Sequence, residues 1–226
     1  MRRLICLLVL SLLVYVNISF ADEKGAQVQQ SQSVSGTGKV LDITHRYVNT
    51  GGYKEPEKGD PLEMAYQFLE LNREKFHITN PRQELVYKKT MESKLSGTKR
   101  VDFEQVYQGV PVLYGGFKIV LNRNGEIEGI GAKYYYDIDL STTPQIDSAT
   151  AENLALKDLG FPKDAKIVKY RDRITRLTIW RSNQDKFHLI WLVRVSQEYP
   201  KAHAWKYYID AHDGSVLEKA DEMIWN

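Results

Sequence analysis

Cysteine is almost absent: Cys6 is the only one in 226 residues, and it lies in the N-terminal apolar run. Disulfides therefore stabilise nothing further along the chain, and a chain cut after that run has no thiol for catalysis. No Gly-x-Ser-x-Gly string supplies a nucleophile elbow. Gly36-Thr37-Gly38-Lys39 fails the spacing of a phosphate-cradling loop. The five histidines are His45, His77, His188, His203 and His212, and none stands four residues from another. The zinc-protease signature, two histidines one helical turn apart with a glutamate between, is therefore excluded. Charge of one sign is lacking too. Once Arg2 and Arg3 are removed with the leader, basic and acidic side chains balance, which gives no reason to expect nucleic acid or an anionic membrane as partner.

What is present begins with an address. Arg2 and Arg3 precede an apolar run from Leu4 to Val16, and Ser19-Phe20-Ala21 offers small residues for cleavage. Residues 1–21 read as a Sec-type signal peptide cut after Ala21, so the protein is expected to be exported, secreted or periplasmic. The alternative is a retained anchor, for which the run is short against the ~20 residues of a comfortable span. Residues 22–38 are rich in Gln, Ser and Gly and are expected to be a flexible leader.

The body of the chain reads as α+β, two successive units that each pack a helix on an antiparallel sheet. Lys39–Val48 is an expected strand. Asp60-Pro61-Leu62-Glu63 is a helix start, with Leu62, Ala65, Tyr66 and Leu69 as its apolar stripe. Strands are expected over 84–90 and 99–107. In the second of these, Val101, Phe103, Gln105 and Tyr107 share one face, while Arg100, Asp102, Glu104 and Val106 share a wet one. Gly109 and Pro111 are expected to break that run, and Asn124-Gly125 to turn a hairpin after Phe117, Ile119 and Leu121. Ser141-Thr142-Thr143-Pro144 is the expected joint. A second helix follows, capped by Asp147 or Ser148 and ended by Gly160, and then five short strands. Leu189 to Arg194 is apolar enough on both sides to be a strand buried on both faces.

Two strings carry a resemblance. Phe103-Glu104-Gln105-Val106-Tyr107-Gln108-Gly109-Val110-Pro111-Val112 resembles the core of the propeptide domain found before thermolysin-like and fungalysin-like metalloproteases. Ala204 to Leu217, AWKYYIDAHDGSVL, resembles the closing motif of PepSY domains, and Leu189 to Val193 the strand before it. The resemblance implies a propeptide-like domain over 39–141, a PepSY-like domain over 142–226, and cystatin-like folds for both. No catalytic domain is expected, since the chain ends at Asn226 where one would begin.

Function is then expected to be non-enzymatic: inhibition or assisted folding of a secreted thermolysin-type metalloprotease. The alternative is a general exported module that binds peptides or cell-envelope components. No catalytic, cofactor or metal residues are assigned. His203, Asp210, His212 and Asp213 form the best remaining cluster, but the Asp213-Gly214 hairpin turn accounts for them without a metal. The tail Met223, Ile224, Trp225 and Asn226 is the candidate protease-contacting segment, with Ile224 and Trp225 as anchors and the terminal carboxylate as a zinc ligand. Consecutive aromatics at Tyr134, Tyr135 and Tyr136 must alternate in direction, so at least one is a candidate for exposure on a partner-binding face, but for any single one of them covering an edge of the hydrophobic core is the favoured reading.

Overall fold

A computed structural model describes residues 38–47, 52–160, 167–168, 175–197 and 203–222. The expected signal peptide, nearly all of the leader, and the tail Met223, Ile224, Trp225 and Asn226 lie outside the described residues.

Strand β1 (Lys39–Tyr47) leads to helix α1 (Pro61–Leu71). Asp60 starts α1 as anticipated: its carboxylate accepts from the Leu62 and Glu63 amides at 2.9 and 3.2 Å, leaving Pro61 at the position where no donor is needed. The helix buries Met64, Ala65, Phe68 and Leu69, while Leu62 and Tyr66 are only half-buried, so the stripe is rotated from the one anticipated. Two single turns follow, α2 (Arg73–Phe76) and α3 (Pro81–Glu84).

The first sheet continues with β2 (Leu85–Glu92), β3 (Lys99–Tyr107), β4 (Val110–Leu121) and β5 (Ile127–Tyr136). Pairing is antiparallel throughout, in the order β2-β3-β4-β5-β1. Gly125, at φ +74°, allows the β4–β5 hairpin to close. Beneath one face lies the core of Phe68, Phe76, Phe103, Phe117, Ile119 and Tyr134 with α1 packed on it. Among the described residues, no helix packs on the opposite face.

Helix α4 (Ser148–Leu159) opens the second half. Asp147 caps it by accepting from the Thr150 amide at 2.8 Å, and Gly160 ends it at φ +57°. Its small residues Ala151 and Ala155 let the helix sit close against Val193, Val195, Tyr207 and Ile209. The second sheet has β6 (Ile167–Val168), β7 (Arg176–Arg181), β8 (Phe187–Gln197), β9 (His203–Asp210) and β10 (Val216–Glu222). Leu189, Ile190, Leu192 and Val193 are all buried, so the central strand β8 is covered on both faces, as its apolar composition implies. The molecule is thus α+β, with each long helix laid on an antiparallel sheet.

Tyr134, Tyr135 and Tyr136 are 2, 4 and 7% exposed, so each covers core as the favoured reading has it, and none is free to bind a partner. Tyr134 and Tyr136 enter the core under α1, while Tyr135 enters a second core between the sheets with Val112, Ile179 and Phe187. One expectation needs correction. Gly109 does lie in the turn that ends β3, but Pro111 is not part of the break. It is the second residue of β4, near the start of the strand where proline is tolerated, and its carbonyl accepts from Thr178 Oγ1 at 2.8 Å.

Candidate interaction face

The resembling string builds a joint. Gln108 and Gly109, at φ +49° and +82°, form the two-residue turn that pairs Tyr107 with Val110. Strand β4 therefore starts beside β3, swings to the second sheet, where Val112 pairs in parallel with Ile179, and rejoins the first from Gly116. It turns between them at Tyr114-Gly115-Gly116. A Cβ at Gly116 would stand 2.0 Å from the Phe103 carbonyl oxygen, and one at Gly115 would stand 2.6 Å from Gln105 Oε1. Only glycine fits this corner.

Because β4 swings away from β3 between Pro111 and Gly116, β3 and β5 would face each other across an empty slot. Gln105 fills it. Its Nε2 donates to the Tyr135 carbonyl at 2.5 Å and its Oε1 accepts from the Tyr135 amide at 2.9 Å. At 2% exposure this side-chain amide acts as a substitute backbone, satisfying two buried groups that would otherwise be left unpaired. The Phe, Gln, Tyr, Gly and Val-Pro-Val positions are thus explained as architecture.

The corner also shapes a surface. The helix-free face of the first sheet meets β7 and the β4 corner in a groove of about 860 Å3. Gly116, Gly131 and Val120 lie along its floor, and Leu113 and Tyr114 close the end nearest the second sheet. Its walls carry Lys88, Lys89, Lys118 and Lys133. Two carboxylates share the groove, and both are engaged. Arg100 grips Asp102 in a two-point bond of 2.7 and 3.0 Å, which raises the guanidinium pKa, and Arg176 lies 3.8 Å from Glu104. Tyr114 is 64% exposed in the left-handed region at φ +65°. It lies beside the hydroxyl of Tyr208, whose pKa is raised by burial and then by the hydrogen bond to Tyr114.

The histidine-aspartate cluster does not converge. His203 pairs with Asp221 on β10 and packs on Trp205, with ring centroids 4.2 Å apart. His212 Nδ1 lies 3.4 Å from Asp210 Oδ1, and His188 Nδ1 lies 3.4 Å from Asp210 Oδ2. His188 was the partner missed by sequence reasoning, and the β8–β9 pairing, with Ile190 opposite Asp210, is what brings it there. Asp213 accepts from the Ser215 amide at 2.8 Å inside the turn, and hydrogen bonds from the side chain and then the amide of Ser215 lower its pKa. Among the described residues no group of three or more His, Cys, Asp or Glu side chains could hold a metal ion. Nor, among them, is any helix long and apolar enough to cross a membrane.

With this geometry in hand, comparison with known proteins is informative. Residues 83–134 match the Fungalysin/Thermolysin Propeptide Motif, a span that runs from α3 through β5 and contains the joint. The chain is 26% identical to the bacillolysin of Brevibacillus brevis over 182 residues, covering 78% of this chain and 34% of the protease. It is 30% identical to the thermolysin of Alicyclobacillus acidocaldarius subsp. acidocaldarius over 174 residues, covering 72% of this chain and 30% of that one. The chain therefore spans about a third of the length of the curated relatives it matches. Among solved structures, the Bacillus megaterium YpeB C-terminal domain superposes with a TM-score of 0.37 at 14% identity, covering 88% of this chain and 89% of that domain. The chain resembles the propeptide of thermolysin-like metalloproteases.

Proposed function

We propose that this chain is an exported, non-enzymatic partner of a thermolysin-type metalloprotease, acting as its inhibitor, its folding assistant or both. The observation that carries the reading is the coincidence of the propeptide motif, residues 83–134, with the strands that build the joint and the groove. A protease is blocked when a rigid body docks beside its cleft and lays an extended segment across it, and standard-size protease–inhibitor interfaces reach very tight binding in this way. The rigid body here would be the pair of sheets locked by β4. The segment would be the tail Met223, Ile224, Trp225 and Asn226, with Ile224 and Trp225 as apolar anchors. A division into a propeptide-like domain over 39–141 and a PepSY-like domain over 142–226 accompanies this proposal.

Titration of the purified protein into thermolysin tests it. Slow, saturable loss of proteolysis is expected, and deletion of residues 223–226 should weaken it. Rapid digestion of the protein without inhibition would instead favour an exported module that binds peptides or envelope components.

A further inference from the structure

Four lysines line the groove, and Asp102, the carboxylate that lies between Lys89 and Lys118 on the neighbouring strand, is held by Arg100. Among the described residues, Lys88, Lys89, Lys118 and Lys133 form no ion pair within 4 Å, and the groove's own Asp102 and Glu104 are taken by Arg100 and Arg176. Asp42, opposite Lys133 on β1, forms none with it either. Such a field attracts negative charge, and partly enclosed walls strengthen it.

The floor adds an independent observation. Gly131 lies opposite Lys118 in extended backbone, and a Cβ there would meet nothing nearer than the Ile43 carbonyl at 3.8 Å. Neither conformation nor crowding inside the chain requires glycine at this place, in contrast to Gly116. A bare floor leaves room for another backbone to come close. At the far end, Tyr114 is held exposed in a conformation unusual for a side-chain-bearing residue. Tyrosine is among the residue types enriched at the hot spots that anchor protein partners. The apolar Val86 and Met91, 49 and 46% exposed on edge strand β2, extend the same face.

We infer that this groove is a docking surface for an acidic polypeptide segment, which lies over Gly131, pairs its carboxylates with Lys89, Lys118 and Lys133, and packs against Tyr114. The inference rests on the reading of the chain as a binding partner and names the surface and the chemistry that the reading leaves open. A second copy of the chain is a poor occupant, because it would bring the same lysines face to face.

The test uses fluorescein-labelled decaglutamate and the purified protein, followed by anisotropy at low and physiological salt. Saturable binding is expected, weakened about tenfold or more by Lys118→Glu with Lys133→Glu. Gly131→Phe should weaken it similarly with an unchanged circular-dichroism melt, whereas Lys157→Glu on α4 should not. Absence of binding, binding indifferent to the groove variants, or equal affinity for decathymidylate would overturn the inference. Inhibition of thermolysin is measured in parallel. Decaglutamate binding without inhibition sinks the protease reading alone, and inhibition untouched by the groove variants sinks this surface alone.

Discussion

Gly116 and Gly131 lie on adjoining strands of the same sheet, yet the molecule needs them for different reasons. Gly116, at φ +152°, is enclosed by the backbone of β3, 2.0 Å from where its Cβ would be. Gly131 has ordinary extended backbone, and a Cβ there would make only ordinary contacts, 3.8 Å from the Ile43 carbonyl oxygen and 4.0 Å from Lys118 Cβ. The corner region around Gly116 is over-determined: a sharp bend, a filled slot and a hydrogen bond from Thr178 to Pro111 all specify one path for β4. The groove floor around Gly131 is under-determined by the fold. Where a fold leaves residues unspecified while charge and an exposed aromatic gather around them, function is the better explanation.

Substitutions at the two places can break this contrast or sharpen it. The largest effect is expected from Gly116→Ala, which drives a methyl into the Phe103 carbonyl and should cost at least about 4 kcal/mol in urea denaturation. A loss below about 1 kcal/mol would show that the corner can relax and is not fixed. Next comes Gln105→Ala, which leaves the buried amide and carbonyl of Tyr135 without partners and should cost about 2–4 kcal/mol. Hydrogen exchange at the Tyr135 amide should accelerate in that variant, and an unchanged rate would contradict its assigned role.

A smaller effect concerns pH. Hydrogen bonds from the side chain and amide of Thr150 hold the Asp147 carboxyl below its ordinary range. A carboxyl depressed on folding stabilises above its unfolded pKa, and that contribution fades as pH falls through the folded value. Melting temperature should therefore drop in acid more steeply for the wild type than for Asp147→Asn, and parallel curves would remove the cap from the account. The smallest effect is Gly131→Ala, expected to change stability by no more than about 0.5 kcal/mol. A large loss there would make the floor structural and erase the contrast.

Much of the fold was legible because its signals are local. Asp60-Pro61, Asn124-Gly125 and Gly160 each fix one turn of chain through groups within a few residues of themselves, and the structure uses all three as anticipated. Alternation placed Val101 and Phe103 on the core side of β3, but a register shift beyond Glu104 sends Tyr107 to the second core, and Asp102, on the side read as wet, is buried. Alternation could not say whether a side is covered, which is why an exposed tyrosine among Tyr134 to Tyr136 stayed an alternative: β5 runs between two cores that bury all three. The transfer of β4 from one sheet to the other was invisible for a related reason. Tyr114-Gly115-Gly116 announces a bend, but the partner across the bend, Ile179, is 67 residues from Val112. Gln105 read as one more residue of an alternating strand, and only the empty slot beside it reveals the role of its amide. The groove combines residues of β1, β2, β3, β4, β5 and β7, so no window of sequence contains it. Its lysines are scattered in a chain that is nearly neutral overall.

The most direct measurement is complex formation between the purified protein and a thermolysin-type protease, followed by size-exclusion chromatography with light scattering and by residual activity. The account predicts a discrete complex in which proteolysis is suppressed, and its loss in Gly131→Phe although that variant melts like the wild type. No complex at all, or one that Gly131→Phe leaves intact, would contradict it.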